Sequence, residues 1–265
     1  MSIVYVNGDS HSAGAGIING YCFADEDPRY LAYGRRAHPE AIPHTYGYKI
    51  SKTLNQGIFL EAESASSNDR ILRTTKNFLE QTKDKSKIFL LIGWTSFERE
   101  EWKHGEDWIQ VTASGTDSVP EEFKEKYKDW VTTQTSKTLL EKSHEWHDKI
   151  YQFHKYLENL KIGHLFFNTY TSFDSTKQYN WNEKYYKPYE ETFHDFLIKN
   201  NYKKIDGQHF GGDGHTAWSK NITESVVTQM SWFDKKDFPK NQLTEIKKQS
   251  IITKAKTKPF TGLIR

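Results

Sequence analysis

Four short apolar runs set the frame: Ile3-Val4-Tyr5-Val6, Ile58-Phe59-Leu60, Ile88-Phe89-Leu90-Leu91-Ile92 and His164-Leu165-Phe166-Phe167-Asn168. Rich in β-branched and aromatic residues and lacking polar alternation, they suit strands buried on both faces. Between them the apolar residues recur every three or four positions, which predicts helices over 46–54, 69–81 and 136–160; the last carries Leu139, Leu140, Trp146, Ile150, Phe153 and Leu157. Two more helical stretches cover 189–199 and 216–230. Strand and helix alternate, so the expected fold is α/β, a parallel sheet wrapped on both faces. At 265 residues one domain over 1–233 is expected, with long insertions at 20–43 and 97–120. A lysine-rich appendage follows at 234–265.

Ligands of an open parallel sheet sit at the carboxyl ends of its strands, where the winding reverses. The loops there are Gly8-Asp9-Ser10, then Ser64-Ala65-Ser66-Ser67-Asn68, then Gly93-Trp94-Thr95-Ser96, all small and polar. Ser10 is the candidate nucleophile, because a strand that hands a serine to a glycine turn at a helix start surrounds its hydroxyl with backbone N–H groups. The plainer alternative is that Asp9 or Ser10 only caps that helix.

A serine nucleophile needs a base, and the base needs an acceptor to hold its tautomer. The segment Asp206-Gly207-Gln208-His209-Phe210-Gly211-Gly212-Asp213-Gly214-His215 offers two acid and base pairs in one glycine-rich loop. Asp206 with His209 is preferred; Asp213 with His215 is the alternative pair, His215 otherwise lying near the start of the last helix. Spacing points to no third ligand beside these histidines, so no metal is expected. Neither a dinucleotide glycine fingerprint nor a Walker lysine is present, and no cofactor is expected.

Lys plus Arg (37) nearly balance Asp plus Glu (35), which argues against nucleic acid as a partner. The single cysteine, Cys22, excludes an intrachain disulfide and fits a reducing compartment. The chain opens on a strand pattern without a signal-type segment, and no apolar run reaches the roughly 18 to 20 residues of a membrane span. A cytoplasmic protein with no membrane partner is the expectation. Aromatic residues make up 15% of the chain; Trp94, Trp102, Trp108, Trp130, Trp146 and Trp181 are expected mainly as packing. The two insertions are read as pocket walls or as surface excursions. The appendage is read as an element that packs across the domain or builds an oligomer, or as a solvated tail.

Gly8-Asp9-Ser10 near the amino end, the small polar turn after the second strand, the glycine at the end of the third and the late Asp206-x-x-His209 together resemble the sequence blocks of the SGNH hydrolases, the GDSL esterase/lipase superfamily. The resemblance spans about residues 3 to 230. It implies a flavodoxin-like three-layer α/β/α sandwich with a central parallel sheet of about five strands. It also implies acyl-ester hydrolysis, with Ser10 as nucleophile, His209 as general base, Asp206 orienting the ring, and the Ser10 N–H in the oxyanion hole. The family's second-block glycine is replaced here by Ala65-Ser66-Ser67, so Ser66 and Ser67 become the backbone candidates. Its third-block asparagine is replaced by Thr95, which leaves the Thr95 hydroxyl or the Asn68 amide as the side-chain donor. Asn68 has a second reading, as the cap of the helix that follows. The expected substrate is a small O-acyl ester, an acetyl on a carbohydrate being the leading example. The alternative is a weak or inactive relative of the same fold that binds a carbohydrate or protein partner.

Overall fold

The computed structural model describes residues 2–18, 35–113, 119–174 and 177–230. Cys22, most of the first insertion, part of the second and the appendage at 234–265 lie outside them.

Four strands form one parallel sheet: β1 (Ile3–Asn7), β2 (Gly57–Leu60), β3 (Ile88–Trp94) and β6 (Gly163–Asn168), in the order β2-β1-β3-β6. The register pairs Val4 with Ile58 on one side and with Phe89 on the other, and Leu91 pairs with Leu165. The described residues thus supply four sheet strands where about five were expected. From β1 the chain winds first to β2 and then back across to β3, so the reversal falls between β1 and β3.

Side chains alternate between two cores. Val4, Val6, Phe89, Leu91, Leu165 and Phe167 face α2 (Tyr46–Thr53), α6 (Phe193–Lys199) and α7 (Gly212–Gln229), where Trp218 and Phe193 are fully buried. Tyr5, Leu90, Ile92, Trp94 and Phe166 face α3 (Asn68–Gln81) and α5 (Ser136–Asn159). Helices therefore cover both faces of the sheet, as in a three-layer α/β/α arrangement. On α5 the buried residues Trp146, Ile150, Phe153 and Leu157 follow the steps of four and three that a helix needs to present one face. Truncating one such aromatic to alanine costs about 3 to 5 kcal/mol.

Two helix starts differ from the sequence reading. α6 begins at Phe193 rather than near 189, because Thr192 and Asp195 form a reciprocal capping box there. α7 begins at Gly212 rather than 216, since the extended Gly211 serves as its N-cap; His215 consequently lies inside the first turn. The second insertion holds an antiparallel hairpin, β4 (Glu100–His104) and β5 (Asp107–Val111), that the sequence reading did not contain. It packs on α4 (Lys124–Thr132) through a small separate core of Trp102, Val111, Val119, Tyr127 and Trp130. Most of the singled-out tryptophans are packing, as expected, and Trp108 alone of the six is exposed, at 40%.

Candidate active site

Ser10 opens α1 (Ser10–Ala13), directly beyond β1 at the reversal of the sheet. Asp9 is the N-cap: its carboxylate accepts the His11 N–H at 3.0 Å. Ser10 keeps 9% exposure. The turn is close-fitting, since a Cβ on Gly8 (φ +157°) would fall 2.1 Å from Ser12 Oγ and 2.9 Å from the Gly93 carbonyl. Gly93 is constrained in the same way, because a Cβ there would meet Ser12 Oγ at 2.9 Å. Two glycines therefore let β3 and α1 approach each other. The Tyr46 hydroxyl then fixes Ser12 from α2 at 2.7 Å.

The late glycine-rich loop reaches this serine. His209 Nε2 lies 2.8 Å from Ser10 Oγ, and His209 Nδ1 lies 2.6 Å from Asp206 Oδ2. Asp206 Oδ1 accepts the N–H groups of Gln208 and His209 at 3.0 and 2.7 Å, an Asx-type turn that folds the acid back onto its own base. Gly207 takes φ +85° within it. A bridge between Lys204 and Phe210 closes the loop, and the buried Phe210 anchors it in the core. Burial pushes the Asp206 carboxyl up, but the bonds from His209 and Gln208 outweigh it and hold the group below its usual range. An ionised Asp206 accepts Nδ1–H, which leaves Nε2 as the lone pair facing the Ser10 hydroxyl.

The alternative pair is not assembled. His215 is 2% exposed and its Nδ1 accepts the Tyr46 backbone N–H at 3.2 Å. Burial drives its imidazole down to about 3, so it is a neutral structural acceptor stacked on the Tyr46 ring. Asp213 accepts the adjacent Gly214 N–H, at 2.8 Å, in the first turn of α7.

The proposed oxyanion donors on the second and third turns are turned inward. The Ser66 N–H bonds the Glu63 carbonyl, at 3.2 Å, and the Ser67 N–H bonds Gln110 Oε1, at 2.9 Å. Ser67, not Asn68, caps α3, by accepting the Arg70 N–H. Asn68 makes a reciprocal pair with Thr95, its Oδ1 accepting the Thr95 N–H and its Nδ2 donating to the Thr95 carbonyl. The Thr95 hydroxyl donates to Asp9 Oδ2 at 2.7 Å. Ala65 occupies the left-handed region at φ +60°, where a non-glycine residue carries about 1 to 3 kcal/mol of strain. The N–H groups of Ser10 and Ala65 find no acceptor among the described residues. The Ala65 turn starts at Glu63, whose N–H bonds the Gly8 carbonyl at 3.2 Å.

Residues that the sequence reading passed over surround Asp9. Thr169, just after β6, gives its hydroxyl to Asp9 Oδ2 at 2.9 Å, and Arg99 brings Nη1 within 3.6 Å of the same oxygen. His11 is 6% exposed, and its ring centroid lies 5.1 Å from that of His209. Burial lowers its imidazole to about 4, against the opposing pull of Asp9. His11 was visible as the neighbour of Ser10, but Arg99 and Thr169 come from loops whose approach only the sheet order decides. Among the described residues no three His, Cys, Asp or Glu side chains group closely enough to hold a metal ion, and no helix is long and apolar enough to cross a membrane. Comparison of the chain with protein-family models, curated proteins and solved structures finds no match.

Proposed function

We propose that this chain is a serine hydrolase of the SGNH type that cleaves a small O-acyl ester. The observation that carries the reading is the continuous Ser10–His209–Asp206 hydrogen-bond chain, built by two segments, the turn after β1 and the late glycine-rich loop, that meet at the reversal of the sheet. The strand order β2-β1-β3-β6 supports a flavodoxin-like parentage, being the first four strands of that order.

In this mechanism His209 Nε2 takes the Ser10 proton as Oγ attacks the ester carbonyl. The resulting imidazolium is held by Asp206, and then returns the proton to the departing alkoxide. Water then attacks the acyl-Ser10 carbonyl while His209 Nε2 takes its proton, and the imidazolium passes that proton to Ser10 Oγ as the acyl–oxygen bond breaks, which frees the acid. The N–H groups of Ser10 and Ala65 are the donors for the oxyanion. Two backbone donors without a side-chain donor suit a reactive ester better than an amide, since each missing donor costs roughly 3 to 4 kcal/mol at the transition state. A small acyl group such as acetyl, carried on a carbohydrate alcohol, is the substrate class proposed. The test is p-nitrophenyl acetate turnover. Wild-type protein is expected to release nitrophenolate with an acyl-enzyme burst, and Ser10→Ala to lose both; equal turnover by the two proteins rejects the proposal.

A further inference from the structure

The hydrolytic reading leaves one charged group beside the nucleophile unexplained. Asp9 is completely buried, yet its carboxylate accepts the hydroxyls of Thr95 and Thr169 and the His11 N–H. We infer that Arg99 is a positioning residue for the Ser10 nucleophile, acting through the Asp9 carboxylate, and that the hairpin insertion belongs to the hydrolytic site. This inference rests on the hydrolytic reading above.

Three donors orient the carboxylate but carry no net charge, and a buried carboxylate without a cation is costly. Among the described residues the titratable groups that face it include His11 from α1, Arg99 from the loop after β3 and the Tyr46 hydroxyl from α2. Among the described residues Arg99 Nη1 is the cationic atom within ion-pair distance of the carboxylate, 3.6 Å from Oδ2, while the His11 ring, itself faced by His209 and His194, has no hydrogen-bond partner at Nδ1, so the counter-charge falls to Arg99. Burial pushes the Asp9 carboxyl up; His11, Arg99 and the two hydroxyls overturn that and hold it below its usual range. Arg99 Nη1 also donates to Thr95 Oγ1 at 3.0 Å and to the Ser66 carbonyl at 3.4 Å. One guanidinium thus joins the turns that follow β1, β2 and β3.

The hairpin beyond it repeats the pattern. From β5, Gln110 accepts the Ser67 N–H and donates to Glu101 at 2.8 Å, while Glu101 grips Arg73 of α3 at 2.6 and 2.8 Å. The charge-assisted Glu101–Arg73 pair anchors the insertion on α3, Gln110 and Arg99 fasten it to the turn that carries Ala65, and the Arg99–Asp9 approach links it to the cap of the serine helix. If the carboxylate of Asp9 were protonated, the Thr95 hydroxyl would lose its acceptor and the Thr169 hydroxyl would turn to its other one, the Trp94 carbonyl at 3.0 Å. The cap of α1, and with it the direction of Ser10 Oγ, would then relax.

The experiment combines the rate of fluorophosphonate labelling at Ser10 with the ¹³C titration of the Asp9 carboxyl. Arg99→Gln keeps a donor for Thr95 and Ser66 but drops the charge. It is expected to slow labelling about 10- to 100-fold, the usual penalty for a displaced nucleophile, and to move the Asp9 titration to higher pH. Arg99→Lys restores the charge and is expected to keep Asp9 ionised, with labelling within about fivefold of wild type. Labelling of Arg99→Gln within about twofold of wild type, or an unmoved Asp9 titration, overturns the inference. Should Arg99→Gln fail to fold, the lysine variant decides: slow labelling with Asp9 still ionised overturns it. A wild-type protein that never labels at Ser10 removes the hydrolytic reading, and this inference falls with it.

Discussion

Two aspartate and histidine pairs fall within the ten residues 206–215, and the fold uses them in opposite ways. Asp206 and His209 sit in a turn held by their own backbone, with the ring partly open and its second nitrogen on Ser10. His215 sits inside a helix that packs on the sheet, so its ring is carried into the core to serve the Tyr46 N–H, while Asp213 stays at the surface. Residue type is the same in both pairs. What differs is whether the base lies on a loop that can face the strand ends or on a helix that must bury its inner face.

Substitution should separate the two pairs, most strongly at the bases. His209→Ala is expected to lower p-nitrophenyl acetate kcat by about 10⁴-fold or more, whereas His215→Phe should remain within about threefold of wild type. A comparable loss in both would erase the distinction. Asp206→Asn leaves the ring in place but removes the acceptor that holds its tautomer, and kcat should fall about 10²- to 10⁴-fold. A rate near wild type would mean that His209 is oriented by something else.

His215→Phe should instead appear in stability. It leaves the buried Tyr46 N–H without an acceptor, a loss of about 1 to 3 kcal/mol in urea unfolding at pH 7. Because the folded imidazole is driven to about 3, below its unfolded value, the unfolded chain binds the extra proton as the medium becomes acidic. The stability it supports is therefore complete above the unfolded pKa and is lost progressively as pH falls toward 3. By linkage this amounts to about 2 kcal/mol between pH 7 and pH 5, and the phenylalanine variant should lack that part of the slope. Parallel stability curves for the two proteins would contradict a buried neutral His215. Asp213→Asn, which removes only a charge near a helix N-terminus, should cost about 0.3 to 1 kcal/mol and leave turnover as it was.

The sheet and the Asp206–His209 contact were legible because both are written locally. Unbroken apolar runs mark strands buried on two faces, and Asp206-x-x-His209 folds its acid onto its base within one turn. The reversal of the sheet then brings Ser10 to the edge where that turn meets it. The oxyanion side was not legible, for a physical reason. Whether Ser66, Ser67, Asn68 and Thr95 point at a ligand or at each other depends on side chains from the distant hairpin, and Gln110 and Arg99 take up the groups that a list of residue types would leave free. The hairpin itself was hidden because Glu100 to Val111 is largely polar and covers its own small core. Helix starts shifted where a cap, Thr192 or Gly211, overrode the apolar spacing.

Whether Ser10 is an activated nucleophile is read directly by peptide mass spectrometry after fluorophosphonate treatment. One adduct is expected, on Ser10, formed by wild-type and His215→Phe proteins and strongly slowed in His209→Ala. No adduct on Ser10, or labelling that is indifferent to the loss of His209, would contradict it.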